Sequence, residues 1–398
     1  MSTPLHGLKV LDLSRVLAGP FAGRMLSDLG ADVVKLEPPD GDLTRLWGLK
    51  VAGIAGYYFQ HNAGKRNISG DLKVPAGVTL ARQLAARADI LIENFRPGVM
   101  DRLGLDYRTL AADNPGLIML SISGFGADGP ESGRAAYAPI IHAETGLVDG
   151  QARRTALGGG EPTAPVELVT SMADTNAGLH GLVAVLAALH QRHGTGLGQH
   201  IDLAMVDATL VTDDRIHYFL DDVADELPLN AEVWETAAGA LMISADFRHV
   251  WKQLVRICGL EDPTPPGTEL AEKIRIRRRA AWQFFNGTLT NRADVIAALE
   301  RMNLAWGDVR TRQEARSLPT VVHRGSIAEV DDRAGGTRPV PQTPYRMSGA
   351  ETGIRGGAPH LGEHNRAVLR DWLGLDDSGI DAFAEVMHAE EPSTGASS

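Results

Sequence analysis

LKVLDLSRVLAGPFAGRMLSDLGADVVKLE, residues 8–37, is the stretch of this sequence that decides the fold. Apolar residues dominate 8–14, which predicts a buried strand, and 31–37 predict a second one. Between them, residues 18–30 have the spacing of a helix that ends at Gly30. A strand, a helix and a second strand in close succession form a βαβ unit, whose two strands are parallel.

The same alternation continues along the chain. Helices are predicted over 76–87 and 106–112, and strands over 89–93, 117–123 and 199–205. This pattern is typical of an α/β fold with a doubly wound parallel sheet. Ligands of such sheets bind at the carboxyl ends of the strands, which here are followed by loops starting near Arg15, Pro38, Asn94 and Gly124.

The composition is that of an ordinary globular protein. The chain has 398 residues, 43% hydrophobic and 22% charged, which is enough for two domains or for one large domain that carries a smaller one. We find no uninterrupted apolar run of the ~18–20 residues that a membrane span needs, and residues 1–7 do not resemble a signal peptide. We therefore expect a soluble cytoplasmic protein without a membrane partner.

Charge and cysteine content narrow the function further. A net charge of −11 argues against general nucleic-acid binding, although a local basic pocket for one anionic ligand remains compatible with it. The single cysteine, Cys258, has no partner in the chain for a disulfide and lies at an apolar position of a helical pattern, which indicates a core thiol. No pair of His or Cys residues has convincing metal-ligand spacing.

Four cations lie in the loops that follow the predicted strands: Lys65, Arg66, Arg96 and Arg102. They could surround a cleft for an anionic ligand, or they could be solvated surface charges. The residues alone leave both interpretations open.

Known nucleotide and hydrolase motifs are absent or incomplete. GFGADG, residues 124–129, has the G-x-G-x-x-G spacing, but Pro130 follows and no helix is predicted to hold a pyrophosphate. The sequence contains neither a G-x-x-x-x-G-K-[ST] loop nor a G-x-S-x-G nucleophile elbow. A dinucleotide-binding enzyme and a serine hydrolase are therefore disfavoured.

One carboxylate occupies a special position. From Met172 to His190 leucines, valines and small residues recur at helical spacing, which predicts a long, closely packed helix. Asp174 lies near its start, where free N–H groups favour an anion, so we expect an ionised carboxylate. Asp174 could be a simple helix cap or a functional group.

The rest of the sequence predicts a second domain and a segment that leads the chain back to the first domain. Residues 206–223 predict a helix that leaves the first domain, and the second domain begins near 225. Its helices include a basic run at 273–279, which indicates a solvated face, and apolar faces around Phe247–Cys258 and after Asn291. Residues 331–346 are rich in Gly and Pro and predict a long crossing segment. A short helix follows, and the last residues, 389–398, predict a disordered tail.

Seven stretches in this order resemble the family III coenzyme A transferases. The stretches are VLDLSRVLAGPFAGRMLSDLGADVVKLE, GDLTRLWG, KRNISGDLK, ADILIENFRPGVMDRLGLDY, SISGFGADGP, MADTNAGLHGLVAVLAALHQRHGTGLGQHIDLAMVDA and LGEHNRAVL. The family includes formyl-CoA:oxalate, carnitine and succinyl-CoA-dependent transferases, together with the related 2-methylacyl-CoA racemases. The resemblance is dense over residues 5–210 and resumes at about 343–377.

The resemblance implies an architecture. It is a Rossmann-like large domain built from both chain ends, a smaller α+β domain in the middle, and a homodimer of two interlocked rings. The implied division is 1–210 for the first part of the large CoA-binding domain, 211–225 for a linker helix, 226–330 for the small domain, 331–345 for a return linker and 346–388 for the second part of the large domain.

The resemblance also implies a function. Asp174 matches the catalytic aspartate, which attacks an acyl-CoA, forms an anhydride and then an enzyme–CoA thioester, and passes CoA to a small carboxylic acid. CoA is a substrate, and no permanently bound cofactor is implied. The residues that match the CoA contacts are Arg15, Leu17, Ala18, Lys73, Asn94, Phe95 and Arg102, with Arg96 adjacent.

Tyr137 distinguishes the branches of this family. Racemases resemble a Gly-His-Asp pattern where this chain has Ala136-Tyr137-Ala138, so the sequence favours a transferase and His142 is interpreted as structural. The alternatives are a 2-methylacyl-CoA racemase or epimerase and a non-catalytic acyl-CoA-binding protein. Leu17 and Pro38 also differ from the glutamine and arginine of formyl-transferring members.

Overall fold

A computed structural model describes residues 2–157, 164–220 and 231–389. The chain divides into two compact units. The first comprises Met1–Leu147, Glu167–Asp214 and Thr320–Ser398, and the second comprises Val148–Val166 and Arg215–Pro319. The disordered tail was predicted at 389–398, but Ala389 is the last residue of a helix. Residues 390–398 and the end of the predicted linker helix, 221–225, lie outside the described residues.

The strands are β1 (Lys9–Asp12), β2 (Asp32–Glu37), β3 (Lys50–Val51), β4 (Ile54–Ala55), β5 (Arg66–Ser69), β6 (Ile90–Glu93), β7 (Ile118–Ser123), β8 (His200–Ala204), β9 (Glu232–Thr236), β10 (Gly239–Ile243), β11 (Trp306–Asp308), β12 (Ile327–Asp331) and β13 (Thr337–Pro341). The helices are α1 (Ala18–Asp28), α2 (Gly56–Asn62), α3 (Pro75–Ala85), α4 (Val99–Leu103), α5 (Tyr107–Asp113), α6 (Ala138–Glu144), α7 (Leu147–Leu157), α8 (Met172–Thr195), α9 (Met205–Thr212), α10 (His217–Leu220), α11 (Phe247–Cys258), α12 (Leu270–Gln283), α13 (Arg292–Arg301), α14 (Arg312–Ala315), α15 (Pro319–Arg324), α16 (Asn365–Leu373) and α17 (Asp377–Ala389).

A six-stranded parallel sheet in the order β5-β2-β1-β6-β7-β8 forms the centre of the first unit, which confirms the predicted α/β class. Numbered by appearance, this is the 3-2-1-4-5-6 order of Rossmann folds. The order reverses between β1 and β6, where Leu11 pairs with Val34 on one side and Leu91 on the other. Loops leaving β1 and β6 diverge there and open a crevice.

Helices cover both faces of this sheet. Because side chains alternate along a strand, Val10 packs with α1 and α8 on one face, while Leu11 packs with α3 and α16 on the other. Burial on both faces explains why these strands are continuous apolar runs in the sequence.

Helix α8 lies unusually close to α1. A Cβ at Gly178 would lie 2.7 Å from the carbonyl oxygen of Ala18 and 2.9 Å from Cδ1 of Phe21, so any larger residue there would push α1 away. By length and composition alone α8 would suffice to cross a membrane, but its Ala173, Leu182 and Val185 are buried in the core of this unit.

The prediction of a long crossing segment at 331–346 was wrong in part, because β12 and β13 form an antiparallel hairpin within it. Asp332 accepts the N–H groups of Ala334 and Gly336, and Arg333 and Gly335 take the positive φ values of the turn. The Gly-rich stretch is therefore a tight turn, and the prolines lie on a short strand of a two-stranded sheet.

The C-terminal part of the chain completes the edge of the sheet. His364 donates its N–H to the carbonyl of Asn67, and the side chain of Asn365 accepts the N–H of Ser69, so both cover β5. On α16, the indole of Trp372 donates to Asp32 of β2. This confirms the short helix predicted there.

The second unit is a smaller α+β structure. Its sheet is antiparallel in the order β11-β10-β9, and Val250, Trp251 and Leu254 of α11 pack in its core. Cys258 packs at the margin of that core, whereas Val255, predicted on the same face, is exposed. The basic run lies on α12, where arginines pair with acidic partners: Arg275 with Glu272, Arg277 with Asp262 and Arg278 with Glu232.

The single helix predicted over 206–223 was wrong, because α9 ends at Thr212 and α10 begins at His217. Asp213 and Asp214 follow the last turn of α9. Two negative charges at a helix C-terminus oppose the helix dipole, which explains why the helix ends there.

Candidate active site

A cleft of about 490 Å³ opens at the carboxyl edge of the parallel sheet. Residues that follow all six strands line it, as expected for this fold. Eight of the ten predicted site residues meet there: Arg15, Ala18, Lys73, Asn94, Phe95, Arg96, Tyr137 and Asp174.

Asn94 joins the two loops that diverge at the strand-order reversal. Its side-chain oxygen accepts the N–H of Arg15 at 2.7 Å, and its side-chain amide donates to the carbonyl of Arg15 at 2.8 Å. The guanidinium of Arg15 lies 5.4 Å from the ring centre of Phe95. One wall of the cleft therefore combines a cation with an aromatic face.

Buried charges hold the loop that follows β1. The carboxylate of Asp12 accepts the N–H of Ser14 at 3.0 Å and also its hydroxyl. Nζ of Lys35 donates to the carbonyl of Ser14 at 2.5 Å, and Asp42 accepts the N–H of Val16 at 3.2 Å. The loop is thus fixed at successive residues before α1 begins.

Asp174 is not a cap of its own helix, so that interpretation was wrong. Ser171 precedes α8 as its N-cap, and Asp174 is the third helical residue. Its carboxylate instead accepts the backbone N–H groups of Ala18 and Ala138, the first residues of α1 and α6. The sequence placed the carboxylate at a helix start but could not identify the helices that contact it.

Burial raises the pKa of Asp174 to about 6, although the two N–H groups act in the opposite direction. The carboxylate is therefore mainly ionised at neutral pH, as predicted, but it is more basic than an ordinary aspartate. Burial and the negative charge of Asp174 also raise the pKa of Tyr57 to about 12, so that phenol stays protonated.

Tyr137 and His142 lie on α6 or at its start and differ in accessibility. Tyr137 is 63% exposed and lines the cleft. His142 is buried, and its Nε2 accepts the N–H of Ala173 at 3.1 Å. Burial lowers the pKa of His142, so this ring is a neutral acceptor that caps α8, consistent with a structural role.

Two predicted contact residues do not line the cleft. The side chain of Leu17 is only 4% exposed and belongs to the interior, so a ligand could reach only its backbone. Arg102 is an exposed residue of α4. Its guanidinium lies near Gly98, on the turn that leads into that helix.

Lys65 and Arg66 are neither cleft residues nor simple solvated charges. Lys65 is buried, and its Nζ donates to Asp12 at 2.8 Å and to Asn62 at 2.9 Å. Burial lowers the pKa of Lys65 to about 8. Arg66 pairs with Asp32 and with Asp371. Both cations stabilise the fold, and the partners come from distant parts of the sequence.

Several residues that line the cleft were not predicted from the sequence. Asp42, Leu43 and Leu46 come from the loop after β2, and Arg134 lies beside Tyr137. The guanidinium of Arg134 is 4.7 Å from the ring centre of Phe125 and pairs with Glu131 and Glu144. The Asp-x-Thr spacing at Asp42, typical of a residue that caps a helical turn, was a signal that could have found this loop.

The chain matches known proteins over almost its whole length. Residues 5–365 match the family model described as CoA-transferase family III. The succinate–glutarate CoA-transferase of Agrobacterium fabrum is 33% identical over 389 residues, which cover 92% of this chain and 95% of that protein. The human succinyl-CoA:glutarate CoA-transferase is 30% identical over 393 residues, covering 95% and 88%.

A solved structure has the same fold. A CAIB/BAIF family protein from Brucella suis superposes with a TM-score of 0.78 and 32% sequence identity, covering 94% of this chain and 100% of that one. The sequence matches and this structural match therefore extend over both units of the chain.

Proposed function

The chain belongs to CoA-transferase family III and is a CoA transferase, and we propose that it moves coenzyme A from an acyl-CoA to a carboxylic acid through covalent intermediates on Asp174. The observation that carries this proposal is the position of that carboxylate. It lies in a cleft lined by four cations, Arg15, Lys73, Arg96 and Arg134, and two backbone N–H groups hold it in place.

The reaction begins with attack of Asp174 on the thioester carbonyl of the donor. The tetrahedral intermediate collapses to a mixed anhydride, and CoA leaves as a thiolate. The thiolate then attacks the aspartyl carbonyl, which releases the donor's carboxylate and leaves CoA as a thioester on Asp174. The donor acid departs at this stage.

The second half reverses these steps with the acceptor. The acceptor carboxylate attacks the aspartyl thioester and gives a new anhydride and free CoA thiolate. The thiolate attacks the acceptor's acyl carbonyl, so the new acyl-CoA departs and the carboxylate of Asp174 is regenerated. No proton, electron or cofactor is consumed, and CoA enters and leaves as a substrate.

The N–H groups of Ala18 and Ala138 have a role in both halves. One oxygen of Asp174 is the nucleophile, and the other becomes the carbonyl oxygen of the anhydride and thioester. Negative charge collects on that oxygen when the thiolate attacks the aspartyl carbonyl in the first half and when the acceptor carboxylate attacks it in the second. Donors already aimed at the carboxylate would stabilise it without reorganisation.

Coenzyme A would occupy the cleft through its phosphates and base. Arg15, Lys73 and Arg96 provide positive charge, and Asn94 and Phe95 provide a polar and an aromatic surface. Arg102 lies on α4 outside this cleft, so it would contact only a part of the ligand that extends out of the cleft. This arrangement suits a polyanion on a protein whose overall charge is negative.

The names of the two relatives favour a dicarboxylic acid as one substrate. Leu43 and Leu46 offer an apolar wall for a short acyl chain, and Arg134 offers a cation for a second carboxylate. The guanidinium of Arg134 pairs with Glu131 and Glu144, so a substrate carboxylate would take the place of one of these exposed partners.

A racemase is disfavoured by the state of His142. A base for α-proton removal must reach the substrate, but this imidazole is buried and engaged with the N–H of Ala173. The non-catalytic alternative conflicts with the relatives, which are named as CoA-transferases.

We also propose that the chain works as a homodimer. Helix α8 exposes an apolar stripe formed by Leu179, Val183 and Leu186, with Val183 63% exposed. Apolar patches of this kind mark protein interfaces, and a second copy of this chain is the partner expected from the family. Sedimentation equilibrium of the full chain tests this, and a monomer at micromolar concentration would contradict it.

Mass spectrometry tests the covalent step. The protein is incubated with a panel of acyl-CoAs, digested, and searched for CoA or acyl mass on the peptide that contains Asp174. Asp174→Ala is the matched control and should lose the adduct and the exchange activity while still binding CoA. Exchange that persists in Asp174→Ala would disprove the proposed route.

A further inference from the structure

Val16 is the strained residue of the cleft. Its φ of +65° lies in the left-handed region, which is especially unfavourable for a side chain branched at Cβ. Ala52, Asn303 and Arg333 are the other non-glycine residues with positive φ in the described part of the chain, and none of them lines the cleft. Such a conformation persists only where surrounding contacts enforce it.

A buried ion pair supplies those contacts. Nζ of Lys35 and Oδ2 of Asp42 are 3.3 Å apart, and both side chains are fully buried. The same Oδ2 accepts the N–H of Val16, and the same Nζ donates to the carbonyl of Ser14. The pair therefore fixes the backbone on both sides of Arg15.

Stability alone does not explain this pair. Removing two charges from water is costly, and their attraction offsets that cost only partly, so an apolar pair of similar volume is often as stable. An ion pair does provide directed hydrogen bonds at fixed points. Here both points lie on one strained loop.

The loop leads directly to the candidate nucleophile. Leu17, which follows Val16, is buried in the core, and Ala18, the next residue, donates its N–H to Asp174. A change of backbone direction at Val16 would displace this N–H. The conformation of Val16 and the environment of Asp174 are therefore linked through two residues.

We propose that Lys35 and Asp42 are positioning residues for CoA transfer, because they hold Val16 in the left-handed conformation and so keep the N–H of Ala18 on Asp174. This role rests on the proposed function of Asp174. Neither side chain needs to touch the reacting atoms.

Asp42→Ala tests this role through turnover. It should lower kcat by roughly 10- to 100-fold, at most the cost of losing one oxyanion donor. KM for the acyl-CoA should change less than kcat, because the two hydrogen bonds from Asn94 still hold the main chain of Arg15. A rise in KM with unchanged kcat would overturn the proposal.

The pH profile gives a readout that a purely structural role would not affect. Loss of the Ala18 N–H should raise the pKa of Asp174, so the acidic limb of kcat/KM should move to higher pH in Asp42→Ala. An acidic limb that stays in place despite lower kcat would overturn the role of this N–H.

A second substitution at Val16 separates strain from general damage. In the Asp42→Ala background, Val16→Gly should restore kcat at least about fivefold, because glycine adopts positive φ without strain. Val16→Ala is the matched control and should restore less than about twofold, since alanine still disfavours that region. Equal rescue by both, or by neither, would overturn the proposal.

Two further variants keep the outcomes distinct. If Asp42→Ala does not fold, Asp42→Leu replaces it in both comparisons, since leucine fills the buried position without offering an acceptor to the N–H of Val16. Asp174→Ala is measured alongside. Retained turnover in Asp174→Ala overturns the proposed function and this role together, whereas lost turnover there with full turnover in the Asp42 variants overturns this role alone.

Discussion

The side chain of Asn94 exchanges two hydrogen bonds with the main chain of Arg15, at 2.7 and 2.8 Å. This pair ties the end of β6 to the end of β1, the two strands between which the sheet reverses its order. One side-chain amide therefore links the two loops that border the crevice at its ligand-binding edge.

Asn94→Ala should weaken acyl-CoA binding more than it slows turnover. Two hydrogen bonds of ordinary strength are lost, so we expect KM for the acyl-CoA to rise by roughly 5- to 50-fold. Asn94→Asp keeps the acceptor for the Arg15 N–H but not the donor, and should give a smaller rise. Steady-state kinetics with varied acyl-CoA measures both, and an unchanged KM in Asn94→Ala would contradict the prediction.

Activity should depend on the ionisation of Asp174. Its pKa is raised to about 6, and only the carboxylate can attack a thioester. We expect kcat/KM to be constant above that pH and to fall about tenfold per pH unit below it. A pH profile over the range in which the protein stays folded measures this. A limb near the ordinary aspartate value would indicate that Asp174 is less buried than described.

The same shift predicts that the nucleophile costs stability. An acid whose pKa is raised on folding binds its proton more tightly in the folded state. The destabilisation by the charged Asp174 is therefore absent below the unfolded pKa and complete above about pH 6. Asp174→Asn should therefore stabilise the protein by up to about 3 kcal/mol at pH 7.5. Thermal unfolding at several pH values measures this, and the gain should shrink as the pH falls from 6 towards 4.

Lys65 and Lys73 should behave in opposite ways. Lys65→Met leaves Asp12 buried without its main partner and should destabilise the fold by about 3–5 kcal/mol. Lys73 is exposed in the cleft, so Lys73→Met should change stability by less than about 0.5 kcal/mol. It should instead weaken acyl-CoA binding by roughly threefold or more. Denaturant unfolding and calorimetric CoA titration separate the two, and the reverse assignment would refute the prediction.

Gly178→Ala should affect both folding and catalysis. The new Cβ would meet the carbonyl oxygen of Ala18, so α1 must move, at a cost of about 1–3 kcal/mol. Because Ala18 also donates to Asp174, kcat should fall as well. Gly194→Ala on the same helix meets no atom within 4 Å and should stabilise the protein by up to about 1 kcal/mol without loss of activity. Similar behaviour of the two variants would contradict the close α1–α8 contact.

The fold was largely predictable because its strands are buried on both faces and so appear as apolar runs. The predicted helix at 18–30 and strand at 89–93 correspond to α1 and β6 within two residues at each end. The hairpin of β12 and β13 was missed because Gly and Pro mark a turn and a linker equally well.

The sequence predicted side chains of the site, but not the backbone groups that contact them. The resemblance identified Asp174, but the groups that hold its carboxylate are backbone N–H groups, and any residue type except proline carries one. Lys65 illustrates the opposite error. Its charge suggested a position in a cleft or on the surface, but its Nζ is buried and donates to Asp12, Pro20 and Asn62. Burial depends on contacts that sequence spacing does not reveal.

The cover of β5 by residues 364 and 365 has a consequence for biosynthesis. Strand β5 leaves the ribosome about 300 residues before its outer hydrogen-bonding partners, and at 5–20 residues per second that interval is about 15–60 s. During this time the nascent sheet has an open edge, the feature through which strands of different chains associate. A chaperone that shields the emerging polypeptide would therefore have its greatest effect on yield before the final segment is translated.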